Sequence, residues 1–222
     1  MCLLAVVVAV SAYLRFVGLN WDEFQHLHPD ERFLTMVATG IRPVEGGWTE
    51  YFDTANSTLN PYNQGYKFFV YGTAPIFFVR YLAQWIADSG IQMADLGLDS
   101  SLVFGTGYDQ IHLVGRVVSA FADTLSVLLL YFAGKRLYNR TVGLLAAALA
   151  ACSVAFIQQA HFFTVDSMAN LLVAISLLFA VRAQHSNSWL NYAFFGVALG
   201  LAVASRINTA PLALLIVLAA YL

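Results

Sequence analysis

The stretch HLVGRVVSAFADTLSVLLLYFAGKRLYNR, residues 112–140, decides the class of fold. Its first part, 112–134, is mostly apolar and long enough to cross a bilayer, which takes about 20 residues in a helix. It then stops at KRLYNR, 135–140, the densest basic loop in the chain. An apolar run that ends in a short basic loop reads as a span whose end lies in the cytoplasm.

Working outward, the rest of the chain has the same character. Of 222 residues, 59% are hydrophobic and 11% are charged. The mean hydropathy is +0.68. These values place the chain among membrane proteins. A net charge of −2 argues against a nucleic-acid partner. Cys2 and Cys152 both fall in apolar runs, so no disulfide framework is expected. The opening run has no basic leader and no clear cleavage site, and so reads as a first span rather than a removed signal. The last run, APLALLIVLAAYL, ends while still apolar, and on that ground the chain is expected to be the N-terminal part of a longer protein.

Six runs meet or approach spanning length, at about 1–19, 112–134, 141–158, 168–183, 189–204 and 209–222. RAQHSNS, 182–188, is a second basic loop, while QQAHFFTVDSM, 158–168, has no Lys or Arg. The expectation is therefore a plasma (inner) membrane protein with a cytoplasmic N-terminus and an extracytoplasmic segment 20–111. That parity requires the apolar stretch 68–87, which carries Thr73, Pro75, Arg80 and Gln84, to lie along the membrane rather than cross it. Eleven of the 13 acids lie in 20–111, whose centre is rich in Asn, Gly, Pro and Tyr. An acidic, turn-rich loop of this length is where function is expected.

Five charges fall within or at the ends of spans: Arg15, Arg116, Asp123, Asp166 and Arg206. Burying one at the bilayer centre costs roughly 2.5–3.5 kcal/mol on insertion scales, so such groups are paired or functional. Arg15, Arg116 and Arg206 fall at external helix ends on this topology. One such arginine could merely snorkel to headgroups; three together favour an anionic ligand, since guanidinium matches phosphate geometry. Asp166 suits a helix N-cap or a second acid of the same site, and the two readings are compatible. Asp123, mid-span, is expected to play a structural role, pairing across helices with a group in a part of the chain beyond residue 222. His161 reads as an interfacial polar residue.

HLHPDERF, 26–33, follows the first span. Pro29 suits a first helical turn, and Asp30 and Glu31 suit the positive end of the helix dipole. Phe33, Leu34, Met36, Val37 and Ile41 then share one face, which predicts a short amphipathic helix on the membrane surface. Asp30 and Glu31 could be dipole partners alone. Near phosphate-binding arginines, a carboxylate here could instead act as a general base toward a hydroxyl, with His28 in support or on a metal. Asp22 and Glu23 read as solvated loop acids, and Arg32 as a solvated or headgroup-facing residue.

These features resemble a known family. YLRFVGLN closing a first span, an acidic pair before a surface helix, and GRVVSAFADTLSVLLLYFAGKRLY opening a second span are similar to the GT-C glycosyltransferases. Within them the chain is most similar to the protein O-mannosyltransferase-like branch, glycosyltransferase family 39. HPDE also resembles a motif of mannosyltransferases that build lipid anchors and lipid-linked oligosaccharides. The resemblance implies an all-α polytopic membrane protein, a GT-C-type helical bundle whose large first extracytoplasmic loop bears juxtamembrane helices; YGTAPIFFVRYLAQWI resembles one of these. It implies a glycosyltransferase taking a hexosyl group, foremost mannosyl, from a polyprenyl-phosphate donor to a hydroxyl of a protein, lipid or glycan acceptor, with inversion. It maps catalytic acids to Asp30, Glu31 and Asp166, and donor-phosphate contacts to Arg15, Arg116 and Arg206. His28 and His161 would give support or, with a divalent Mg or Mn ion, ligands. A transporter subunit and a catalytically silent membrane scaffold are the competing classes.

Overall fold

The computed structural model describes residues 2–91, 102–186 and 188–221. All regular structure among the described residues is helical. The chain is an all-α membrane protein, and it divides into two compact units.

One unit comprises residues 18–118 and 162–164. It contains helices α2 (Pro29–Gly40), α3 (Gly47–Phe52) and α4 (Ala74–Ser89), and the start of α5 (Tyr108–Leu137). Helix α2 forms where the sequence predicts. Pro29 occupies its first turn, and the His28 ring accepts a hydrogen bond from the Glu31 amide at 3.3 Å. Leu34, Val37, Ala38 and Ile41 are fully buried, while Met36 stays exposed. The buried face packs against α4. Helix α4 carries Pro75 in its first turn and stops before Gly90, whose φ of 68° favours glycine. It buries Ile76, Val79, Arg80 and Ala83 and exposes Phe78, Tyr81 and Trp85. At 16 residues it falls short of the length a span needs.

Between α2 and α4 the polar chain is held by side-chain caps. Asn60 and Asn63 both donate to the Thr54 carbonyl, at 2.7 and 3.1 Å. The Glu50 carboxylate accepts from the amides of Gly46 and Glu45, at 2.7 and 2.9 Å. The Gly46 amide leads in holding the Glu50 carboxyl below its usual range.

The other unit comprises residues 1–17, 119–161 and 165–222. It holds α1 (Cys2–Phe16), the remainder of α5, α6 (Arg140–Ala151), α7 (Val154–Ala160), α8 (Asp166–His185), α9 (Trp189–Ser205) and α10 (Leu214–Tyr221). Two described helices, α5 and α8, are long and apolar enough to cross a membrane; α6 and α7 make a third candidate if their 58° bend is one broken span. Helix α5 starts at Tyr108, four residues before the predicted boundary. The predicted span 141–158 is thus interrupted at Cys152–Ser153, and the predicted span 209–222 opens with a 3-10 segment, Ile207–Ala213, containing Pro211. Proline lacks the amide that an α-helix would use there. Gly143 lets α6 approach α5 closely: a Cβ there would lie 2.6 Å from the Tyr131 carbonyl oxygen.

Candidate active site

Arg116 is the centre of the charge cluster in the first unit. Its side chain is 0% exposed, as are those of Asp22 and Glu31. Glu31 takes Nε and one Nη2 hydrogen, each at 2.7 Å. Asp22 takes Nη1 and Nη2, at 2.9 and 2.8 Å. The Leu19 carbonyl takes the second Nη1 hydrogen at 2.8 Å. All five N–H donors of the guanidinium are therefore spent within the protein. Glu31 also accepts the Phe163 amide at 2.7 Å. Trp21 lies 5.5 Å from the guanidinium carbon, measured to the ring centroid.

The reading of Asp22 as a solvated acid is corrected here. Burial pushes its carboxyl up, but the hydrogen bonds and charge of Arg116, with the Leu27 amide, hold it below its ordinary value of 3.8. The loop that presents it is strained. Glu23, Phe24 and His26 all have left-handed backbones, with φ of 49°, 65° and 49°. Each costs of order 1–2 kcal/mol in a residue with a Cβ. The Asn20 and Asp22 side chains hold this turn by accepting the Phe24 and Leu27 amides. Periodicity could not rank Asp22 among the acids at 22, 23, 30 and 31, because 17–28 is not helical. The available signal was the arithmetic need of Arg116 for carboxylates.

Asp30 differs from Glu31 in every respect. It is exposed, and no hydrogen bond or ion pair holds its carboxylate among the described residues. It stands in the first turn of α2, which the Glu31–Arg116 bonds pin in place. His28 supports that turn: Nδ1 caps the helix, and the ring stacks on Phe162 at 4.1 Å. Gly115 is required beside it, because a Cβ there would overlap the Phe163 ring.

The second unit holds two further charge pairs. Arg15 and Asp123 are buried together. Arg15 also donates to the carbonyls of Ser11, Ala151 and Ala150, at 3.2, 3.0 and 3.1 Å. The partner of Asp123 is thus the arginine of the first helix, not a group beyond residue 222. Arg15 caps carbonyls that the end of α6 leaves without intrahelical donors. Asp166 pairs with Arg206 and accepts from Gln159 Nε2 at 3.0 Å. It begins α8 but makes no side-chain cap, so the N-cap reading is corrected. The Arg206 side chain is 47% exposed, and it keeps donors beyond the one given to Asp166.

His161 turns both ring nitrogens to backbone carbonyls, those of Ile157 and Val17, at 2.7 and 2.8 Å. Neither is left to bind a metal. Among the described residues no three His, Cys, Asp or Glu are grouped to hold one. Glu31 is committed to Arg116 and the Phe163 amide, while His28 has its Nδ1 engaged in capping α2.

A family model described as dolichyl-phosphate-mannose-protein mannosyltransferase matches residues 102–222. The chain belongs to that mannosyltransferase family. It is thereby a glycosyltransferase of mannosyltransferase type and of the GT-C class. No curated protein and no solved structure matches it. The mannosyltransferase match includes Arg116, Asp123, Asp166 and Arg206; Arg15, Asp22, Asp30 and Glu31 precede it.

Proposed function

We propose that the protein moves a sugar, foremost mannose, from a polyprenyl-phosphate donor to a hydroxyl acceptor at the extracytoplasmic membrane face, with inversion. A single observation carries the assignment of the base: Asp30 is an exposed carboxylate without a partner among the described residues, set beside a carboxylate, Glu31, that is committed to Arg116 and the Phe163 amide. A general base needs a lone pair free for the incoming proton and a fixed position. Asp30 has the first, and Glu31 supplies the second.

In the proposed step, Asp30 takes the proton of the acceptor hydroxyl as its oxygen attacks the anomeric carbon. The bond from that carbon to the phosphate oxygen breaks, and the electron pair leaves with polyprenyl phosphate. Charge then grows on the departing phosphate. Of the three arginines expected to meet it, Arg206 is the one with exposed donors. Asp166 orients that guanidinium. Arg15 and Arg116 act instead as buried positioning groups. The basic ends of α5 and α8 support an extracytoplasmic loop 20–111 under the positive-inside rule.

Transfer of radiolabelled mannose from a polyprenyl-phosphate donor, measured on membranes that carry the protein, tests the proposal. Asp30→Asn should cut the rate 10²–10⁴-fold, the usual range for a general base, while donor binding persists. Normal transfer by Asp30→Asn would overturn the base assignment.

A further inference from the structure

We infer that the groove between the basic ends of α5 and α8 is a binding site for the phosphate headgroup of an anionic phospholipid. It is lined by Phe132, Lys135, Arg136, Leu178 and Arg182 and has a volume of about 390 Å³. Three cations and two apolar side chains in one groove fit an amphiphile with a negative head.

Charge balance makes the case. This unit carries six Lys or Arg (15, 135, 136, 140, 182 and 206) but only two acids, Asp123 and Asp166. Both acids are already given to Arg15 and Arg206. No carboxylate of the unit is left for Lys135, Arg136 or Arg182, so their counter-charge must come from outside it. The macrodipoles of α5 and α8 place only fractional negative charge at these C-terminal ends.

Arg182 is also held in position. The side chain of Asn191, which is 5% exposed, accepts from its Nε at 3.3 Å, and Phe179 lies 5.5 Å from its guanidinium carbon. Its Nη groups remain for a ligand. Helices α5 and α8 are the two described helices long and apolar enough to cross a membrane, so their basic ends belong at the headgroup layer. Basic pockets between spans on the cytoplasmic side take anionic headgroups, and each basic residue near the surface strengthens the attraction about fivefold.

The test compares retention of phosphatidylglycerol and phosphatidylcholine by the purified protein in detergent, read by native mass spectrometry. Wild type should retain phosphatidylglycerol preferentially, and inorganic phosphate at equal concentration should not displace it. Lys135→Gln/Arg136→Gln/Arg182→Gln should weaken that preference on the order of 100-fold. Arg140→Gln, whose side chain does not line the groove, should retain it. Arg182→Lys, which keeps charge with little disturbance, should stay near wild type in total retention. Unchanged preference in the triple variant, equal retention of phosphatidylcholine, displacement by inorganic phosphate, or an equal loss in Arg140→Gln would each overturn the site.

Discussion

Glu31 grips Arg116 with both carboxylate oxygens, at 2.7 Å each, and neither side chain is exposed. Removing one partner leaves the other charged, buried and short of bonds. Arg116→Met should therefore lower the unfolding free energy by about 3–5 kcal/mol. Unfolding in mixed detergent micelles measures it. A loss under about 1 kcal/mol would show that the pair is solvated.

The Arg15–Asp123 pair calls for a double-mutant cycle. Arg15→Met and Asp123→Leu should each destabilise by about 3–5 kcal/mol, and the double variant should recover much of that loss. Simple additivity of the two losses would mean the groups do not share a bond.

Asp22 adds an acid-labile term to stability. Its carboxyl is depressed in the folded state, so the stabilisation is complete above the ordinary value of 3.8 and is lost as pH falls through the depressed value. The stability gap between wild type and Asp22→Asn should be constant from pH 7 to about 5 and should narrow at lower pH. Denaturation curves at a series of pH values give the answer directly.

Arg80 is the opposite case. It is 7% exposed, and its Nε and Nη1 have no hydrogen-bond partner among the described residues. Burial pulls its guanidinium below the usual range. Arg80→Met keeps the aliphatic bulk and removes the orphaned donors, so it should stabilise the protein by about 1–3 kcal/mol. A destabilised variant would instead point to a partner that Arg80 needs.

Arg206→Ala separates donor binding from proton transfer. It should raise the KM for the polyprenyl-phosphate donor at least tenfold, as expected when a charge-assisted phosphate contact is lost. Asp30→Asn should act on kcat. The same kinetic signature in both variants would contradict the division of roles.

Much of this was legible in the sequence. The 3.6-residue period of 33–41 and Pro29 located α2 within a residue of its observed start, because local geometry and capping decide a short amphipathic helix. The five charges within or at the ends of the apolar runs stood out in the sequence, since apolar neighbours make each one conspicuous. Their pairing was not legible. Arg15 meets Asp123 across 108 residues and Arg116 meets Asp22 across 94, and no periodicity encodes such distances. Nor did hydropathy reveal the break at Cys152–Ser153, because the run remains apolar through it while the backbone turns by 58°.

Arg15 also imposes an order on biosynthesis. Nothing in α1 itself can neutralise it: the helix contains no acid, and the one bond Arg15 finds there is to the Ser11 carbonyl. Its carboxylate arrives only when residue 123 has been made, and its last carbonyl acceptor only at residue 151. Until then the first helix carries an unmatched cation that favours water or headgroups. The ribosome must therefore deliver α2 to α6 before α1 can settle into its final place, so α1 is complete long before it can be locked.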